Sequence, residues 1–260
     1  MGKILLLSAI LVCLPGVFSC RTPEAVVIPT VTETKTETVT ATETLTETET
    51  ATVTATVTAP KPAILIRVNR FAHGGGEIVT LDMETEYLPV VVACENRLAP
   101  YESLKAQVIA SRTFALYKKL YEPRTADYDI LDNESDQVYN PATYETLTAA
   151  EQDRIRLAIE ETEGLVIRWG DVIICSSYVS GNELTLRYVT SNEGKSGDNI
   201  IQTSLIWRTY PPSLSPHNRG CMGQIQANNL VLQFNYDCER ILKYFYGSDI
   251  LIAAYMEDSE

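Results

Sequence analysis

Residues 87–117 read YLPVVVACENRLAPYESLKAQVIASRTFALY, and the organisation of the globular part follows from them. An apolar run from Leu88 to Cys94 ends in one acid, Glu95. Pro100 then opens an alanine-rich segment in which Leu104, Val108 and Leu116 fall on one stripe. Proline suits a first helical turn, because its missing N–H would have had no partner there. The spacing predicts an amphipathic helix with those three side chains toward the core. Lys105 and Arg112, seven residues apart, lie on a common face of it. A carboxylate at the end of an apolar segment is poorly solvated, so its pKa is expected to rise and it can hold a proton to donate.

Outward from this stretch the chain alternates short strands and helices. Residues 64–68 and 78–81 are expected to pair across Gly74-Gly75-Gly76. That glycine run lacks the helix and the Lys-Ser/Thr ending of a phosphate loop. His73, beside it, reads as solvated. A helix is expected over 149–162, with Ile155 and Ile159 inward and Gly164 ending it. Residues 165–167 and 172–174 suggest a second hairpin across Gly170-Asp171. The expected fold is α+β, one globular domain over residues 63–256.

The N-terminus reads differently. Lys3 and an apolar run from Ile4 to Leu14 precede Ser19-Cys20. The run is shorter than the roughly 20 residues that a membrane-spanning helix needs, and residues 1–20 read as a secretory signal. Val17-Phe18-Ser19-Cys20 is an imperfect lipobox, bulky at Phe18, which makes Cys20 the expected lipidation site. The other reading leaves Cys20 free in an uncleaved anchor. From Thr30 to Thr58 every even-numbered residue is threonine. Such alternation normally marks a strand, yet the run is several times the ~5–6 residues of a typical one. Its odd positions mix charged and apolar residues, so no coherent face exists to bury. Residues 21–62 therefore read as a disordered Thr/Glu-rich stalk. The expected setting is extracytoplasmic, a lipoprotein anchored in the cell envelope with the membrane as a partner of its N-terminus.

The formal net charge is −13, with no cluster of lysine and arginine, which argues against nucleic acid as a partner. If Cys20 carries lipid, Cys94, Cys175, Cys221 and Cys238 remain beyond the signal, and four cysteines permit three pairings. A Cys221–Cys238 bridge would close a modest loop; four buried free thiols are the alternative.

Residues 87–117 also resemble the sporulation stage II protein D (SpoIID) / LytB amidase-enhancer domain family. That family reads roughly Y-L-x-x-V-V-x-x-E-M-P and, after a spacer, L-K-A-Q-A-V-A-A-R-T-Y-A-L. Tyr87, Leu88, Val91, Val92, Glu95, Leu104-Lys105-Ala106-Gln107, Arg112-Thr113, Ala115 and Leu116 match it, with Asn96-Arg97 in place of Met-Pro. Residues 128–139 are similar to a second family segment through Asp132, Gln137, Val138 and Tyr139. Some members bind a structural zinc there; Leu131 and Asp136 stand at the cysteine positions, so no metal is expected. Members usually carry a His after the second hairpin, where this chain has Cys175-Ser176-Ser177-Tyr178-Val179-Ser180-Gly181. His217, Arg219-Gly220, Met222-Gly223-Gln224 and Ala227 resemble H-G-R-G-M-G-Q-W-G-A, with Cys221 inserted, and residues 239–246 resemble its E-E-I-L-K-H-Y-Y ending.

The resemblance implies a cleft that binds peptidoglycan glycan strands, with Glu95 catalytic and Lys105, Arg112, Gln137, Tyr139, His217 and Gln224 contacting substrate, and no cofactor. It implies lytic transglycosylation. In that reaction one acid protonates the glycosidic oxygen and takes up the proton of the attacking muramic C6 hydroxyl, whereas ordinary glycosidases use two carboxylates. Asp132 and Glu134 are candidates for a second one. The competing reading is a non-catalytic wall-binding module that stimulates a cell-wall amidase, favoured by the altered Met-Pro, the missing His and the inserted Cys221.

Overall fold

The computed structural model describes residues 63–206 and 210–255, all within one compact unit spanning 58–260. The signal, the lipobox at Cys20 and the whole stalk assigned to 21–62 lie outside the described residues. Strand β1 (Leu65–Arg70) turns back as β2 (Glu77–Asp82), antiparallel with Arg67 opposite Thr80, as the sequence predicts. Gly75 and Gly76 take positive φ in the turn, a region that costs glycine nothing. The β-hairpin runs straight into a π-helical turn, Met83–Tyr87, started by Asp82, whose carboxylate accepts the N–H groups of Glu84 and Thr85.

The apolar run after it is helical. Helix α1 (Leu88–Asn96) buries every side chain from Leu88 to Ala93, which is why its sequence shows no polar face. Helix α2 (Tyr101–Tyr121) follows, with Pro100 just before its first residue. At 21 residues it is about 31 Å long. It lies between two apolar clusters. Leu104, Val108 and Leu116 enter the one that holds α1, while Ala106, Ile109 and Ala110 enter the other. Leu88 and Leu104 are wholly buried, so truncating either to alanine costs about 2–5 kcal/mol.

Around these helices sit three small sheets. Strand β3 (Ile130–Leu131) joins β1 in parallel, giving the order β2-β1-β3. Helix α3 (Pro141–Glu145) leads to α4 (Ala149–Glu161), which starts in a capping box between Thr148 and Glu151 and buries Ile155 and Ile159 as expected. Gly164 follows it with φ 67°. Strands β4 (Leu165–Trp169) and β5 (Val172–Ile173) form the second expected hairpin, with β8 (Leu251–Ala254) on the other edge of β4. The third sheet pairs β6 (Ser177–Val179) in parallel with β7 (Cys221–Gly223), and β7 leads directly into α5 (Gln224–Phe234) and then α6 (Cys238–Tyr246). Gly220, before β7, has φ 123°, and a Cβ there would lie 2.5 Å from the Phe245 carbonyl oxygen. The glycine is what lets α6 approach this turn.

Of the two cysteine readings, the bridge is corrected: no Cys221–Cys238 bond forms, and Cys94, Cys175, Cys221 and Cys238 are all free thiols, Cys175 and Cys221 buried and the other two half-buried. His73 is exposed, as read from the sequence, and its Nδ1 lies 3.2 Å from the buried Asp132 carboxylate.

Candidate active site

Glu95 sits in the last turn of α1, beside helical carbonyls whose partial charge disfavours an anion. Its two oxygens are held from different parts of the chain. Oε1 accepts the Val138 N–H at 3.1 Å, and Oε2 accepts Gln224 Nε2 at 3.1 Å. Burial raises the carboxyl's pKa, these two donors oppose the rise, and the negative charge of Glu134 adds to it. The rise agrees with the expectation from the sequence.

Glu95 and Gln224 line one cavity of about 470 Å³ with Glu134, Asp136, Tyr178 and Leu184. The β6–β7 pairing builds this wall. Tyr178 stands opposite Met222 and Val179 opposite Gly223, so Gln224, the first residue of α5, emerges next to the end of β6. The Ile225 N–H donates to Ser180 O at 3.1 Å and holds the two together. The segment 175–181, which lacks the family's His, thus lines the cavity through Tyr178, Val179 and Ser180.

The remaining predicted contacts lie elsewhere. Arg112 is wholly buried and bidentate on Glu84, at 2.7 and 2.6 Å, with Nη1 on Leu165 O. Lys105 pairs with Glu102 at 2.7 Å and lies 3.6 Å from Glu161 on α4. Among the described residues lining the cavity neither appears, so the shared face of α2 does not line it beside Glu95. The physical reason is that these cations are held by Glu84, Glu102 and Glu161, none of which lines the cavity. Gln137 is buried and hydrogen-bonds Tyr87, Ser111 and Tyr178, while Tyr139 stacks on Tyr87 with ring centroids 5.7 Å apart; both are packing residues behind the cavity. His217 lines a different cavity, its ring against Tyr117 and Tyr121 and its Nδ1 2.8 Å from Ile173 O.

Asp132 is spent as well, accepting the N–H groups of Ala72 and His73 at 2.7 Å each. Glu134 is exposed and lines the cavity, and its side chain makes no hydrogen bond or ion pair among the described residues. Leu131 and Asp136 are joined directly, the Leu131 N–H donating to Asp136 at 2.8 Å, and Arg124 clamps the same carboxylate at 2.8 and 2.7 Å. Among the described residues no group of three or more His, Cys, Asp or Glu side chains is placed to hold a metal. The sequence reading missed Tyr178 and the Val138 N–H.

Residues 72–169 match the SpoIID family, Stage II sporulation protein. They form a SpoIID domain. The match contains Glu95 and Val138 and ends at Trp169, before Tyr178 and Gln224, so the cavity is shared between the SpoIID segment and the part of the compact unit that follows it. No curated protein matches the chain. A SpoIID domain points to a cell-wall-related role.

Proposed function

We propose that the SpoIID domain binds peptidoglycan glycan strands and cleaves them as a lytic transglycosylase, with Glu95 as the sole acid and base. The observation that carries this reading is the state of Glu95: an acid of raised pKa, fixed by two donors, facing a cavity. Its carboxyl gives a proton to the glycosidic oxygen as the C1–O bond breaks. The C6 hydroxyl of the same sugar then bonds to C1 and returns its proton to the carboxylate, closing a 1,6-anhydro ring without water. Proton transfer of this kind contributes about 10²–10⁴ in rate. Gln224 and the cavity wall carry the substrate contacts.

A second reading is supported by Lys105 and Arg112, both engaged with acids away from the cavity. Without two cations in the groove, the domain acts as a non-catalytic strand-binding partner of an amidase. Digesting purified strands, with and without stem peptides, and looking for anhydro-muropeptides separates the two.

The extracytoplasmic setting and lipidation at Cys20 belong to the same proposal and rest on the N-terminal sequence. Among the described residues no helix is long and apolar enough to cross a membrane.

A further inference from the structure

Tyr178 is one of the residues that two neighbouring cavities share. It lines the cavity of Glu95 and the neighbouring one that contains Lys118 and Arg124, which also share Glu134, Asp136, Val179 and Leu205. Its hydroxyl oxygen is already an acceptor. Gln137 Nε2 donates to it at 2.8 Å and Ser111 Oγ at 3.3 Å. The orientation of the Gln137 amide is fixed on both sides, since Oε1 accepts from Tyr87 at 2.7 Å and Nε2 also donates to the Ser111 carbonyl at 3.2 Å. With its oxygen serving two donors, the phenol has its own proton to give, and among the described residues no acceptor takes it.

Resting on the function proposed above, we infer that Tyr178 contacts the substrate, its O–H donating a hydrogen bond to an oxygen of the saccharide bound beside Glu95. Two donors on a hydroxyl oxygen polarise its O–H bond and strengthen the bond it makes in turn. Burial, and after it the charge of Glu95, push the pKa of Tyr178 well above the usual tyrosine value, so the group stays a donor and takes no part in proton transfer. Ring and hydroxyl divide the work: the ring lines both cavities, and the hydroxyl registers the sugar against the acid.

The test is Tyr178→Phe, which keeps the ring. Strand cleavage is measured in the otherwise natural chain, and affinity for isolated glycan strands in the Glu95→Gln background. Loss of one hydrogen bond to ligand predicts roughly a tenfold loss of affinity and at least as large a fall in kcat/KM. Ser111→Ala is the companion, because it removes one polarising donor without touching the cavity; a fall of about two- to fivefold is expected, with a lower melting temperature because the buried Gln107 Nε2 loses Ser111 Oγ as its acceptor. If Tyr178→Phe does not fold, the affinity of Ser111→Ala decides. Unchanged affinity and kcat/KM in a folded Tyr178→Phe, beside an active parent, overturn the inference alone. A parent that binds strands without cutting them refutes the transglycosylase while the affinity arm still judges Tyr178. A parent that neither binds nor cuts overturns both.

Discussion

Glu95 and Gln224 are 129 positions apart in the chain, and Gln224 Nε2 lies 3.1 Å from Glu95 Oε2. The contact joins the last turn of α1 to the first residue of α5 across the cavity floor. It opposes the effect of burial on the acid, and so sets how much of Glu95 is protonated at a given pH.

Glu95→Gln is predicted to abolish strand cleavage and keep the fold. Gln224 can turn its amide oxygen toward the new NH₂ group while the Val138 N–H keeps an oxygen acceptor, so both contacts survive. The folded-state pKa of Glu95 is raised, so its stabilising contribution is complete below the unfolded pKa and is lost as pH rises through the folded one. The variant should therefore melt at or above the parent's temperature at pH 7, with the two converging near pH 4. A melting point several degrees lower at pH 7 contradicts the burial of this acid.

Glu134→Gln and Gln224→Leu are predicted to move the pH profile in opposite directions. The charge of Glu134 raises the Glu95 pKa and the Gln224 donor lowers it. Activity requires the protonated acid and falls as pH rises past its pKa, so the falling limb of kcat/KM shifts down for Glu134→Gln and up for Gln224→Leu. Complete loss of activity in Glu134→Gln at every pH makes Glu134 a chemical participant, and the one-carboxylate mechanism then fails.

Arg112→Met is predicted to act on stability. Removing one partner of a buried, bidentate pair costs about 3–5 kcal/mol, and the partial exposure of Glu84 places this case toward the lower end. Denaturant unfolding reads the loss. The folded fraction should retain parental KM, whereas a rise in KM with unchanged stability restores Arg112 to the substrate groove.

Protein purified without added zinc is predicted to contain well under one equivalent of metal. The Leu131 N–H, Arg124 and Asp136 close this region among themselves. Elemental analysis that finds stoichiometric zinc here contradicts this assignment.

Local patterns in the sequence carry the elements well. The β1–β2 and β4–β5 hairpins, the core stripe of α2 and the inward Ile155 and Ile159 of α4 all follow from spacing and turn residues. Helix α1 was harder to read, because a fully buried run has neither period. Motif resemblance made Gln224 a candidate substrate contact, but its hydrogen bond to Glu95 had no signal in the sequence, because the two meet only through the β6–β7 pairing. Helical spacing put Lys105 and Arg112 on one face but carries no information about which neighbour covers it; Glu84 and Glu161 settle that from separate elements. Tyr178 left no local signal, since its role depends on Gln137 and Ser111 reaching it from distant segments.

The most direct measurement is mass spectrometry of the products released from purified glycan strands by the parent protein and by Glu95→Gln. The parent should release chains ending in 1,6-anhydro-muramic acid and the variant none. Reducing, hydrated ends from the parent, or anhydro ends from Glu95→Gln, would contradict Glu95 as the single acid and base.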